Sequence, residues 1–211
     1  TLTFAHKLMR SGADALIIEG MEAGGHIGPV STSVLAQEIL PEIDDVPVFV
    51  AGGIGHGEAV AAYLEMGASG CQLGTRFVCA EESIAHPDFK KRLLRAQARD
   101  AQVSSQLDPR FPVVPVRALA NAASERFLDV QRTVIAKVEA GEFDQKAAQL
   151  EIEHFWVGAL RRAIIDGDVD NGSVMAGQSV GMVRSEQPLA KVIAELVAQA
   201  ARALARRNPP T

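Results

Sequence analysis

Apolar positions along the first 80 residues alternate between two spacings. Residues 1–11 carry apolar side chains at helical intervals, Gly12 ends that pattern, and residues 13–19 form a short apolar run typical of a buried strand. The same order of helix, glycine and strand returns around Gly67, because Met66-Gly67-Ala68 repeats the arrangement of Ser11-Gly12-Ala13. Such alternation is typical of a parallel sheet covered by helices. This part of the chain is therefore predicted to be α/β.

Further elements follow from the same patterns. Helices are predicted at 32–40 and 57–66, and buried strands at 46–51 and 70–73. After about Ala80 the alternation ends, and helical patterns dominate at 87–98, 124–140, 144–165 and 188–206. The stretch 167–178 is too rich in Gly and Asp for a helix interior, so we predict a loop that leads into a helix start at Met175. Residues 208–211 are predicted to be frayed.

Composition and charge narrow the class of protein. Of the 211 residues, 47% are hydrophobic and 22% charged, and the net charge of −5 comes from interspersed acids and bases. These values are typical of a globular protein and predict no nucleic-acid or membrane partner. With neither a membrane-length apolar run nor a secretory signal pattern, we predict a cytoplasmic protein. Cys71 and Cys79 have neither redox-pair nor zinc-ligand spacing and are predicted to be core thiols, so no metal is expected.

Glycine-rich turns follow two consecutive predicted strands. They are Ala51-Gly52-Gly53-Ile54-Gly55 and Leu73-Gly74-Thr75-Arg76. Glycine lets backbone N–H groups approach a phosphate without an obstructing Cβ, and paired loops of this kind form a recurrent phosphate site in (β/α) barrels. Thr75 adds a hydroxyl donor. Arg76 either reaches the phosphate or ties the strand end to a carboxylate, and the structural role is favoured.

A third glycine-rich segment carries the candidate catalytic residue. In Glu22-Ala23-Gly24-Gly25-His26-Ile27-Gly28 the glycine pair allows a planar ring to lie against the backbone, with His26 across its face. Histidine exchanges protons near neutral pH, so His26 is the candidate acid or base. Glu19 and Glu22 are equal candidates to orient the loop or the imidazole. The other histidines lie in or beside predicted helices or turns, where structural roles are typical.

These motifs resemble the nitronate monooxygenase family, also called 2-nitropropane dioxygenase. The resemblance is carried by E-A-G-G-H-x-G at Glu22–Gly28, A-G-G-I at Ala51–Ile54 and G-T-R-F at Gly74–Phe77. It implies an FMN-binding TIM (β/α)8 barrel, of which the three predicted strands would be the last three. Residues 1–80 would be the barrel units and residues 81–211 a mainly helical region packing on them.

The resemblance also implies roles for individual residues. FMN would contact Ala23, Gly24, Gly25, Ala51, Gly52, Gly53, Gly74 and Thr75. His26 would be the catalytic residue. The chemistry would be oxidation of a small nitronate or nitroalkane with O2, with His26 as base.

A second branch of the same family offers an alternative activity. Gly167-Asp168-Val169-Asp170 and Gly172–Gln178 resemble the C-terminal region of the FMN-dependent enoyl-[acyl-carrier-protein] reductase of fatty-acid synthesis. That branch implies NADH as reductant, an enoyl thioester as substrate and acyl carrier protein as partner. A homodimer is compatible with both branches.

The chain begins at Thr1 within a helical pattern, and strands that would correspond to the first five of the barrel are missing. We therefore expect this chain not to close a barrel on its own. A third hypothesis follows, that it is an inactive fragment or an FMN-binding module.

Overall fold

The computed structural model describes residues 1–207, and the predicted fraying at 208–211 lies outside the described residues. The strands are β1 Leu16–Glu19, β2 Gly25–His26, β3 Val48–Ala51, β4 Gly70–Gln72, β5 Ala101–Val103 and β6 Val116–Leu119. The α-helices are α1 Leu2–Arg10, α2 Thr32–Ile39, α3 Gly57–Glu65, α4 Thr75–Val78, α5 Pro87–Leu94, α6 Ala122–Glu139, α7 Gln145–His154, α8 Ala159–Ile164 and α9 Leu189–Arg207.

A three-stranded parallel sheet in the order β1-β3-β4 organises the first part of the chain. Glu19 pairs with Ala51, and Ala51 pairs with Gln72, so the three strands end together at one edge of the sheet. Val48 and Val50 of the central strand are almost fully buried against Leu35 and Ile39 of α2. This common edge brings the three glycine-rich segments close together, and the α/β prediction is confirmed.

A smaller antiparallel sheet in the order β2-β6-β5 connects the two parts of the chain. His26 pairs with Val116, and Gly25 with Arg117. Met175 forms an isolated antiparallel bridge with Ala118. The loop that carries His26 is therefore held by a strand about 90 residues further along the chain.

The later helices cover these sheets in two places. α9 packs on α3, where the Gly57 N–H donates to Gln199 Oε1 at 2.8 Å. A Cβ at Gly57 would lie 2.0 Å from the Leu196 carbonyl oxygen, so only glycine permits this approach. Separately, α6 and α7 enclose an aromatic cluster of Phe127, Phe155 and Trp156, with ring centroids 4.9–5.3 Å apart.

Several predicted boundaries were wrong after residue 80. The helix predicted over 144–165 is two helices separated at Phe155–Gly158, where Gly158 has a φ of +71°. β5 and β6 were not predicted. No α-helix starts at Met175; it lies in a bridge, and a 3-10 turn spans Gln178–Met182.

Within residues 1–207 no helix is both long enough and apolar enough to cross a membrane.

Candidate active site

A cavity of about 250 Å³ opens where the parallel strands end. All of the residues predicted to contact FMN, except Gly25, line it. They are Ala23, Gly24, Ala51, Gly52, Gly53, Gly74 and Thr75, joined by Glu19, Ile54, Gln72, Leu73, Val78, Met175, Gly177 and Ser179. Gly25 is buried behind this wall, and a Cβ there would lie 3.4 Å from the sulfur of Met175.

The glycines of the two turns serve different purposes. Gly52 and Gly53 have φ values of +98° and +72°, which side-chain-bearing residues rarely adopt. A Cβ at Gly53 would also lie 2.9 Å from the Cβ of Glu22. Gly74 has an ordinary φ of −101°, and a Cβ there would meet nothing within 4 Å. The first turn therefore needs glycine for its own conformation, whereas Gly74 leaves space beside the cavity.

Backbone donors are available at this edge. In the described part of the chain, the N–H groups of Gly53, Gly74 and Thr75 donate to no other backbone group. The Thr75 hydroxyl accepts a 2.9 Å hydrogen bond from the Gly177 N–H, which leaves its own proton to donate. Clustered N–H and O–H donors beside glycine are the pattern that binds phosphate. These residues fit the phosphate of a mononucleotide such as FMN.

The loop before β2 is fixed by a carboxylate. Glu22 Oε2 accepts 2.9 Å hydrogen bonds from both the N–H and the hydroxyl of Thr32, at the start of α2. A carboxylate is favourable there because the helix N-terminus carries partial positive charge. The sequence left Glu19 and Glu22 as candidates to orient the loop or His26. Of the two, Glu22 holds the loop.

Buried Arg117 fixes the same loop from the other side. Its Nε donates to the Met21 carbonyl at 2.9 Å and its Nη1 to the Ala101 carbonyl at 2.5 Å. Burial lowers the pKa of Arg117, and the Glu22 carboxylate opposes that change. The guanidinium therefore joins β6 to the segment that leads into His26.

His26 itself lies outside the first cavity, in the wall of a second cavity of about 350 Å³. The walls of this cavity are mainly apolar: Pro112, Val113, Val114, Val116, Phe127, Ile152, Trp156, Val157, Leu160 and Met175, with His26, Glu153 and Ser173 as polar members. Met175 lines both cavities. The glycine turns and His26 therefore line two adjoining cavities that have Met175 as a common lining residue.

Glu19 is the acidic residue that lines the first cavity. It is the last residue of β1. Burial raises the pKa of its carboxyl, and attraction to His26 acts in the opposite direction. The carboxylate thus contributes electrostatically to the environment of His26.

Three of the wall residues that were not predicted come from a distant part of the chain. Met175, Gly177 and Ser179 come from the segment after β6 and α8, more than 90 residues from the glycine turns. The Gln178 N–H donates to the Glu22 carbonyl at 2.9 Å, and a Cβ at Gly24 would lie 2.6 Å from Gly177 N. The glycine at 177 was the available signal, because two backbones can approach this closely only where Cβ atoms are absent.

The remaining polar candidates are structural. Arg76 is buried and donates to Gln187 Oε1 at 2.9 Å and to Glu195 Oε2 at 3.2 Å, so it anchors α4 to α9. Cys79 is buried and Cys71 half-buried, and burial raises the pKa of each thiol to about 11. Residues 1–207 contain no group of three or more His, Cys, Asp or Glu that could hold a metal ion.

Comparison with known proteins identifies the class. The family model described as nitronate monooxygenase matches residues 1–199. The chain therefore belongs to the nitronate monooxygenase family.

The names of individual relatives describe more than one activity. The chain is 30% identical to (3aS,4S,5R,7aS)-5-hydroxy-7a-methyl-1-oxo-octahydro-1H-indene-4-carboxyl-CoA dehydrogenase of Rhodococcus jostii, covering 93% of this chain and 61% of the relative. FabK from Thermotoga maritima is 33% identical with a TM-score of 0.83, covering 99% of this chain and 61% of that structure. Nitroalkane oxidase from Streptomyces ansochromogenes is 31% identical with a TM-score of 0.70, covering 98% and 57% respectively. The chain thus spans about three fifths of the length of these relatives.

Proposed function

We propose that this chain forms the FMN-binding part of an oxidoreductase that oxidises nitronates or nitroalkanes with O2. One observation carries the proposal: a cavity with phosphate-type donors adjoins, at Met175, an apolar cavity that contains His26. Family membership supports the same chemistry, since the family consists of flavoproteins. The parallel strands β1, β3 and β4 would then be the last three of a TIM barrel, with residues 81–211 packing on them.

The protein's own residues would divide the work between the cavities. Gly53, Gly74 and Thr75 would hold the phosphate, and Ala23 and Gly24 would lie against the ring. Bound FMN would supply electron transfer between substrate and O2. His26 would remove the α-proton of a nitroalkane, or hold a nitronate already formed, through an imidazole nitrogen. The apolar walls would bind the alkyl part of the substrate and exclude water.

A second candidate, reduction of an enoyl thioester with NADH, is favoured by the segment Gly172–Gln178. The part of the sequence that resembles the reductase forms a wall of the first cavity, through the hydrogen bonds of Gly177 to Thr75 and of Gln178 to Glu22. The similarity to FabK supports the same candidate. Under this hypothesis His26 would give a proton to the substrate or bind the thioester. Acyl carrier protein, a homodimer and a cytoplasmic location stay predictions.

Two measurements on the purified chain with FMN separate the candidates. Oxygen consumption driven by propyl-2-nitronate, without flavin reduction by NADH, is the result expected for the monooxygenase. Rapid anaerobic bleaching of the flavin by NADH, followed by recovery of colour with crotonyl thioester, would contradict it in favour of the reductase. Failure to retain FMN would favour an inactive fragment.

A further inference from the structure

A small cavity of about 180 Å³ adjoins the end of the first glycine turn. Gly55, the last residue of that turn, lines it, whereas residues 51–54 line the first cavity. The other walls come mainly from Arg76 in α4, from the segment 182–187 and from α9, and we call this space the arginine cavity. Pockets of roughly 300–1,000 Å³ hold drug-sized ligands, so the arginine cavity suits a ligand of only a few atoms.

The side-chain oxygen atoms that line the arginine cavity are already bound, with the exception of one serine hydroxyl. Glu195 Oε2 accepts from Arg76 Nη2 at 3.2 Å, and Glu195 Oε1 accepts from Gln187 Nε2 at 3.2 Å. Gln187 Oε1 accepts from Arg76 Nη2 at 2.9 Å, and Gln199 Oε1 accepts from the Gly57 N–H at 2.8 Å. These side chains therefore offer few acceptors to a ligand.

The guanidinium donors of the arginine cavity are free by comparison. Arg76 uses only Nη2, and its Nε and Nη1 have no hydrogen-bond partner in residues 1–207. Arg76 is 9% exposed, yet neither nitrogen is among the fully buried side-chain atoms that lack a partner, so both keep some accessible surface. Arg184 is exposed and forms no hydrogen bond or ion pair within the same residues. The cavity therefore favours a ligand that accepts hydrogen bonds.

The charges around the arginine cavity favour an anion. Two guanidinium groups face a single carboxylate, Glu195, and that carboxylate is paired with Arg76. The charge of Arg184 is thus uncompensated among the described residues of a chain whose net charge is −5. The N-terminus of α3 follows Gly55 and adds partial positive charge. Guanidinium groups present their N–H donors in a planar fork that matches the oxygen atoms of phosphate.

We propose that the arginine cavity binds a free oxyanion of the size of inorganic phosphate, held by Arg76 and Arg184. Arg76 would donate through Nε and Nη1 while its Nη2 keeps the existing bonds. This site is separate from the proposed phosphate site of FMN, because Gly53, Gly74 and Thr75 do not line it. The inference goes beyond the proposed function and does not depend on it.

Isothermal titration calorimetry with sodium phosphate, at constant ionic strength and with saturating FMN present, measures this binding. We expect one saturable site in the wild type and about tenfold weaker phosphate binding in Arg184→Gln, the loss typical of one hydrogen bond between charged groups. Arg95→Gln removes the same charge from an exposed position that lines none of the cavities described above, so it should keep the wild-type affinity. AMP, whose nucleoside is too large for the cavity, should bind roughly tenfold more weakly than phosphate.

Equal phosphate affinity in Arg184→Gln and the wild type would overturn the inference, and so would the absence of saturable heat in the millimolar range. AMP that binds as tightly as phosphate, and is equally weakened by Arg184→Gln, would overturn the assignment to a free ion. Gly74→Ala should keep phosphate binding; loss there, with retention in Arg184→Gln, would place the phosphate at the glycine turns. Failure to bind FMN or to turn over substrate would count against the proposed function alone.

Discussion

At the scale of the residue, the two glycine turns show how one residue type meets two different requirements. Gly52 must be glycine because of its φ of +98° and because a Cβ would lie 3.0 Å from Thr32 Oγ1. Gly74 satisfies neither condition, since its φ is negative and its surroundings are open. Conformation explains the first glycine, and for the second the proposed phosphate site supplies a reason that conformation and packing do not.

That difference makes Gly74→Ala a selective test of the phosphate site. The added methyl should lower FMN affinity by tenfold or more while changing the free energy of unfolding by less than about 1 kcal/mol. Gly52→Val should lose both FMN and stability, because valine is strained at positive φ. Equilibrium dialysis with FMN and urea unfolding measure the two quantities. Undiminished FMN binding by Gly74→Ala would place the phosphate elsewhere.

Replacing His26 should lower turnover without lowering FMN affinity, because His26 lines a different cavity from the glycine turns. We expect His26→Ala to retain FMN and to lose about 10²- to 10⁴-fold in kcat, the usual contribution of a general acid or base. His56→Ala is the matched control, since His56 precedes α3 and its side chain makes no capping bond. Steady-state rates on nitronate, with flavin content from absorbance, test both. An unchanged rate in His26→Ala would remove it from the chemistry.

Much of this site could be predicted from the sequence, because its glycines and His26 lie directly after apolar strands whose ends coincide in a parallel sheet. The positions of Met175, Gly177 and Ser173 could not, although the glycine at 177 was a signal of close backbone approach. They belong to a loop without periodic pattern, and their position depends on contacts with Glu22, Gly24 and Ala159.

At the scale of the element, β6 is what holds the His26 segment in place. The strand Val-Arg-Ala-Leu places a buried arginine between β5 and the loop before β2, and local pattern gives no reason to expect a charged residue there. β5 and β6 were not predicted because Gln102 and Arg117 interrupt their apolar residues, and neither strand follows the helix-glycine order that indicated β1 and β4. β2, with two residues, is extended through its pairing with β6 and not through its own propensity.

Replacing Arg117 should therefore affect stability and catalysis together. Arg117→Met keeps most of the side-chain volume but leaves the carbonyls of Met21 and Ala101 without donors, so we expect a loss of about 2–3 kcal/mol in the free energy of unfolding. kcat should fall as His26 loses its fixed position. Arg99→Met, an exposed arginine in the 3-10 turn Ala98–Asp100, should change stability by less than about 0.5 kcal/mol. Equal urea midpoints for the two variants would contradict this role.

At the scale of the whole molecule, the site lies between separately packed cores. One core surrounds the parallel sheet and includes Val50, and a second includes Phe89 and Val174. A third contains Phe127 and Ile152, with the rest of the aromatic cluster packed against it. The first cavity, where FMN is proposed to bind, draws its walls from the first two cores, and the His26 cavity draws Phe127, Ile152 and Trp156 from the third. A ligand at this junction would contact residues of more than one core.

Binding of FMN should consequently stabilise the entire chain. At a hundredfold excess over its Kd a ligand adds about 2.7 kcal/mol, which corresponds to a rise in Tm of about 5–10 °C for a chain of this size. Riboflavin lacks the phosphate that Gly53, Gly74 and Thr75 would bind, so at the same concentration its shift should be less than half as large. Differential scanning fluorimetry on the wild type and on Gly74→Ala measures this, and in the variant the two flavins should give similar shifts. Equal shifts in the wild type would show that the glycine turns do not bind the phosphate, because the ring alone would then account for the stabilisation.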